Sequence, residues 1–241
     1  MKTTTQIALL WMLQMVGNAG LLALFAWWLQ WPDSGKAYLA ATGITAVFML
    51  FAGLWLHCGA LACFAEPTGG LGACFRKALR RLPAFLSWVL VVAALVWGLL
   101  GVRDLLPQAA VRLGQVLHLS PRLVFRAGER TLFGLQWIAL PALLWPFAFA
   151  IAGRGFGGWR LRAWRCLRRG RYWLGLAVAL GLGLALPYKL IHWELAPGAS
   201  LAHQKWSAGL RFFAAYLLCV SCWLALGAAM RRREAQVASG N

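Results

Sequence analysis

Acid is scarce in this chain: six Asp and Glu stand against 24 Lys and Arg in 241 residues. Only 12% of the residues are charged while 61% are apolar, which excludes a soluble globular domain, because a soluble surface must be covered with charge. Long polar stretches are missing as well. The longest polar connection, 102–130, is too short to be a separate soluble domain. The six acids, Asp33, Glu66, Asp104, Glu129, Glu194 and Glu234, all fall in loops or at helix ends, so none is expected inside a bilayer. Proton-coupled and sodium-coupled transport ordinarily depend on such an intramembrane group. The six cysteines build no disulfide framework or metal site. Cys219-Val-Ser-Cys222 has redox spacing but falls in mid-helix, where Cys reads as a small packing residue.

Apolar helix is present in abundance. Crossing a hydrocarbon core of roughly 30 Å takes about 20 helical residues, and six segments qualify: 6–31, 38–64, 83–101, 131–152, 172–188 and 212–230. Lys2 and the small residues Gly17-Asn18-Ala19-Gly20 give the first segment some features of a signal peptide. Its run continues to Trp31, too long for an h-region, so it is expected to be retained. The fold class expected is an all-α, polytopic membrane bundle forming one domain over 1–241.

The basic residues divide unequally between the two sides of such a bundle. Lys2, the clusters at 76–81 and 154–171, and Arg231, Arg232 and Arg233 supply 15 of the 24 Lys and Arg on one side. The positive-inside rule makes that side, and with it both termini, cytoplasmic. Because these cations adjoin helix ends and do not share one soluble face, the expected partner is anionic lipid, not nucleic acid.

Two of the basic clusters resemble each other. Gly69 to Arg81 reads Gly-Gly-Leu-Gly-Ala-Cys-Phe-Arg-Lys-Ala-Leu-Arg-Arg, and Gly157 to Arg169 reads Gly-Gly-Trp-Arg-Leu-Arg-Ala-Trp-Arg-Cys-Leu-Arg-Arg. On a 100° wheel Arg76, Lys77, Arg80 and Arg81 share an arc of about 140°, opposite Leu71, Cys74, Phe75, Ala78, Leu79 and Leu82. This is the pattern of a helix lying in the interface with its apolar face in the acyl boundary. The expected units are therefore two basic interfacial helices, 69–82 and 157–171, in a parallel internal repeat. The second wheel is less clean, with Arg160, Arg162 and Arg171 at the margins of its apolar face. The expected headgroup contacts are Arg76, Lys77, Arg80, Arg81, Arg162, Arg165, Arg168 and Arg169.

The segments Cys74 to Ala84 and Arg165 to Trp173 resemble connectors of the six-helix membrane domain attached to some bacterial glycerophosphodiester phosphodiesterases and of related stand-alone membrane proteins. The resemblance spans about Tyr38 to Trp193. It implies a helical bundle with interfacial helices in a bacterial inner membrane. It supplies no catalysis, since the acidic metal ligands of the phosphodiesterase barrel have no counterpart here.

Outside the basic clusters few polar groups stand out. Pro141 and Pro146 should kink or loosen the fourth segment, and the small residues from Gly175 to Ala185 suit the fifth to a central, enclosed position. After 101, Leu113, Val116 and Leu117 suggest a short surface helix, and Ser120-Pro121 a cap and first turn. His57, beside Cys58, is the most interesting ionisable group in a helix. Gln14 and Asn18 are expected to hydrogen-bond to a neighbouring helix. His192 and Glu194 could form an acid–base pair but lack a nucleophile or metal, and a helix-end cap is the better reading. The tryptophans are expected as interface anchors. No cofactor or metal is implied. The functional expectation is a non-enzymatic membrane protein that organises lipid or docks a partner membrane protein. A passive carrier for an amphiphilic solute comes second and a membrane enzyme third.

Overall fold

In the computed structural model the described residues, 2–31, 35–66, 70–193 and 200–230, are helical almost throughout, and no strand occurs among them. Eight α-helices follow in order: α1 Lys2–Trp28, α2 Lys36–Ala65, α3 Leu71–Leu117, α4 Pro121–Gly134, α5 Leu140–Arg154, α6 Gly170–Leu180, α7 Leu186–Ile191 and α8 Leu201–Ala229. Two single wide π-turns, Leu135–Ala139 and Gly181–Ala185, join α4 to α5 and α6 to α7. Six stretches are long and apolar enough to cross a membrane: Thr4–Trp28, Lys36–Ala65, Leu71–Leu117, Pro121–Gly158, Gly170–Ile191 and Leu201–Ala229. Away from their charged ends their exterior is largely apolar, with Trp97 80% exposed and Leu39, Ile44 and Val16 close behind. A water-soluble monomer does not present such a surface.

Both π-turns have one physical cause. Each is followed by Leu and then Pro, in Ala139-Leu140-Pro141 and Ala185-Leu186-Pro187. A proline ring collides with the carbonyl four residues back and has no N–H to donate. Widening the preceding turn, so that Leu140 N–H reaches Leu135 O and Leu186 N–H reaches Gly181 O, lets the helix pass through. The loosening expected around Pro141 thus takes the form of a π-turn. Pro146 lies buried inside α5, and Pro83 and Pro107 inside α3, with no break in the helix.

The segment α2 is the hub, packed on α1, α3, α5 and α8. Its contact with α3 and α5 is filled by Leu54, Cys58, Leu61, Ala78, Phe85, Ala148 and Ile151. Its contact with α1 and α8 is filled by Leu10, Leu56, Ala60, Phe64, Val220 and Leu224. Gln14, fully buried in α1, donates from Nε2 to the Leu56 carbonyl at 2.8 Å. The fifth span is not central. It leans on α8, where Gly175 and Gly183 allow Ala229 and Cys222 to approach, and few of its side chains are buried. Small residues permit close approach on one side, which a peripheral helix can use as well as a central one. The more enclosed spans are the fourth and the last.

The first basic cluster is not a separate interfacial helix over 69–82. From Leu71 it is the opening of α3, continuous with the expected third span and with the connection beyond it as far as Leu117. Nor is its apolar face free to lie in lipid as a whole: Leu79 is exposed, but the centre of the face is covered by protein. Cys74, Phe75 and Ala78 are buried against α2, with Phe75 resting on Gly59 and the Trp55 indole donating to the Phe75 carbonyl at 2.9 Å. At 47 residues α3 is about 70 Å long, so it projects well past a hydrocarbon core of roughly 30 Å. It ends at His118 in the left-handed region, φ 53°, and α4 turns back beside it from Ser120-Pro121. Gly114 makes the turn possible: a Cβ there would stand 2.9 Å from the Leu119 carbonyl oxygen.

Candidate functional site

Helix direction alternates along the chain, so the end of α2, the start of α3, the end of α5, the start of α6 and the end of α8 lie at one end of the bundle. This is the basic end. The chain leaves α5 at Gly155, whose φ of +60° and ψ of −141° suit only glycine. It then folds back over the last turn of α5. A Cβ at Gly158 would lie 2.4 Å from the Ile151 nitrogen and 2.6 Å from the Ala150 oxygen, so glycine alone allows that approach.

The second basic cluster is not an α-helix over 157–171 but a pair of 3₁₀ segments, Gly155–Gly158 and Leu161–Arg168. Its sequence explains the difference. With three residues per turn, residues i and i+3 eclipse, and Leu161-Arg162-Ala163-Trp164-Arg165-Cys166-Leu167-Arg168 sorts into three rows. Arg162, Arg165 and Arg168 form one row, Ala163 and Cys166 a second, and Leu161, Trp164 and Leu167 a third. The untidiness of the 100° wheel was a sign of the wrong period. From the third row Trp164 packs on α5: it donates to the Leu143 carbonyl at 3.0 Å and meets Phe147 edge-on at 5.5 Å.

Between this cover and the ends of α2, α5 and α8 lies an open cavity of about 520 Å³. Arg154, Arg160, Arg162, Arg165 and Arg169 stand around it, and Pro146, Phe149, Ala150 and Met230 provide apolar wall. Glu66 is the one carboxylate among its described lining residues, and it is already engaged. Lys77 Nζ lies 2.5 Å from Oε2 and an Arg81 nitrogen 2.7 Å from Oε1. Partial burial alone would raise the Glu66 carboxyl; the hydrogen bonds and charges of Lys77 and Arg81 outweigh it and hold the group below its ordinary value of 4.5. Arg81 also donates to the Ala152 carbonyl at 2.7 Å, closing the end of α5. The two basic clusters therefore have different tasks. The first supplies the clamp on Glu66, and the second supplies the cationic wall. Arg76 and Arg80 point outward, exposed and with no protein partner among the described residues.

The other expected polar groups do not join this site. His57 lines a second, mainly apolar cavity of about 480 Å³ between α1, α2 and α8. Its ring meets Trp223 edge-on at 4.8 Å, and its Nδ1 is buried with no hydrogen-bond partner. Asn18, on the wall of that cavity, bonds back to Gln14 of its own helix at 2.8 Å instead of crossing to a neighbour. His192, at the far end, stacks on Tyr188 and bonds to its carbonyl at 2.8 Å. Glu194 lies outside the described residues, as do Arg231, Arg232 and Arg233. Cys219 donates to the Gly183 carbonyl at 3.1 Å in the seam between α8 and the π-turn, and no group of three or more metal-ligating side chains occurs among the described residues.

Sequence reasoning missed Arg154, Arg160 and Cys166 as cavity residues, and it missed what the tryptophans do. Trp88 donates to the Leu144 carbonyl, Trp159 to Ser87 and Trp11 to Ser221, each between elements distant in sequence. The signal was present in Trp159 and Trp164, which are interleaved with the arginines of the second cluster, but an indole at a helix end reads equally as an interface anchor.

Six apolar spans in an all-α bundle define a multi-pass helical membrane protein. Comparison with protein-family models, curated proteins and solved structures finds no match for the chain.

Proposed function

We propose that this is a non-enzymatic protein of the bacterial inner membrane that organises anionic lipid, or docks a partner, through its basic end. One observation carries the reading: five arginines surround a cavity whose one described carboxylate is already taken by Lys77 and Arg81. Uncompensated cations beside a membrane helix end are met most simply by lipid phosphate, each gaining about 1 kcal/mol near an anionic surface. The apolar wall beneath them suits a ligand that is greasy behind its charge.

The outward-pointing pair Arg76 and Arg80 gives the cleanest test, since neither is part of the Glu66 clamp. In nanodiscs of mixed anionic and zwitterionic lipid, Arg76→Gln with Arg80→Gln should reduce the enrichment of anionic lipid around the protein, by about 2 kcal/mol in sum. Enrichment unchanged by the double replacement would count against a lipid-organising basic end.

A carrier for an amphiphilic solute is the second reading, supported by the cavity that holds the unpartnered Nδ1 of His57. Flux of an amphiphilic dye in proteoliposomes no greater than in empty vesicles would remove it.

A further inference from the structure

The arginines do more than coat a surface. In the 3₁₀ segment Arg162 and Arg165 are eclipsed in one row, while Arg160 precedes that segment and Arg169 follows it, and all four border the same cavity as Arg154. All five guanidinium groups are exposed, so water screens their mutual repulsion, and an anion seated among them relieves what remains. Among the described lining residues only Glu66 could serve as that anion. Among the described residues Glu66 forms the only ion pairs, and its partners come from α3. A volume of about 520 Å³ lies within the range of small-molecule sites. Its chemistry is two-sided, with guanidinium groups that can hold phosphate oxygens in bidentate fashion and an apolar wall of Pro146, Phe149 and Met230.

We propose that this cavity binds one phosphate head carrying two negative charges, a phosphomonoester borne on a lipid tail, as a saturable one-to-one ligand. The proposal rests on the reading of the basic end as a lipid-facing cationic surface and deepens it: a defined site replaces diffuse adsorption. A doubly charged head satisfies several arginines at once, whereas a singly charged phosphodiester leaves more of their repulsion unrelieved.

The test is native mass spectrometry of the full chain in mild detergent, titrated separately with phosphatidic acid, phosphatidylglycerol and inorganic phosphate. The expected result is one phosphatidic acid per protein, retained at least tenfold better than phosphatidylglycerol, with Arg162→Gln and Arg165→Gln weakening it by roughly tenfold or more. Arg76→Gln with Arg80→Gln should leave this adduct within about twofold of the wild type. Graded, unsaturable retention of both lipids alike would overturn the site while leaving the lipid-organising reading intact, and no anionic retention at all would overturn both. A second readout needs no variant. Cys166 lines the cavity and is half-buried, so its alkylation by a polar maleimide, followed at the level of the peptide, should slow at saturating phosphatidic acid. Unchanged alkylation of Cys166 would place the lipid elsewhere. Equal protection by inorganic phosphate would refute the lipid tail as part of the ligand.

Discussion

Glu66 is the residue on which the basic end turns. It follows directly on α2 and draws two cations of α3 to itself, while one of them, Arg81, reaches on to the last turn of α5. Three helices meet at one carboxylate. Because the clamp depresses its native pKa below the ordinary 4.5, the stabilisation it provides is fully present above that ordinary value and is lost as pH falls through the lower native value. Thermal unfolding in detergent followed from pH 7 to pH 3 should therefore show a fall of about 1 kcal/mol in the acid limb that is absent in Glu66→Gln. A wild type and variant that lose stability in parallel would show the clamp to be energetically silent. The acid itself was easy to notice in the sequence as one of only six. Its partners were not, since Lys77 and Arg81 read there as lipid contacts, and a pairing across 11 and 15 residues needs the start of α3 to lie beside the end of α2.

Elements were legible according to how well their true period matched the one used to read them. The first basic cluster is α-helical, and the 100° wheel separated Cys74, Phe75 and Ala78 from the cations correctly, although their burial is against protein and not lipid. The second cluster repeats the composition at a period of three, and the same wheel blurred it. Aligned glycines diverge in the same way. Gly70 stands before α3 with open space around it, while Gly158 is pressed onto α5. The approach of α2 to α3 depends on another glycine: a Cβ on Gly59 would lie 2.4 Å from the Phe75 ring. Phe75 is buried and held by Trp55, so it has little room to yield, and Gly59→Ala should cost about 1–3 kcal/mol through overpacking. Gly43→Ala, in the same helix with nothing within 4 Å, serves as the control and should be neutral or slightly stabilising. Equal melting of both variants would mean that α2 and α3 are not held at this distance.

For the whole molecule the arrangement of charge predicts sidedness. The start of α3 carries Arg76, Lys77, Arg80 and Arg81, whereas its far end, some 70 Å away, forms with α4 a hairpin exposing Val116, Leu117 and Leu123. Single cysteines introduced as Arg80→Cys and Val116→Cys should react with an impermeant maleimide from opposite faces of the membrane, Arg80→Cys only in inverted vesicles. Labelling of both from one face would contradict a third helix that spans the membrane.

Composition and hydrophobic length were sufficient to establish an all-α, multi-pass membrane protein with six spans, because a long continuous apolar segment can satisfy its own backbone in a bilayer only as a helix. Such constraints are local, and a chain read one window at a time can express them. Tertiary structure alone decided that one helix runs from Leu71 to Leu117, that Glu66 ties together three helix ends, and that the arginines of 154–169 border a cavity shared with the ends of α2 and α8. These depend on which elements meet and at what distance. Contacts of that kind turn on single groups, such as the missing Cβ of Gly158 or the period of the segment after it, whose effects appear only when the neighbouring helix is in place.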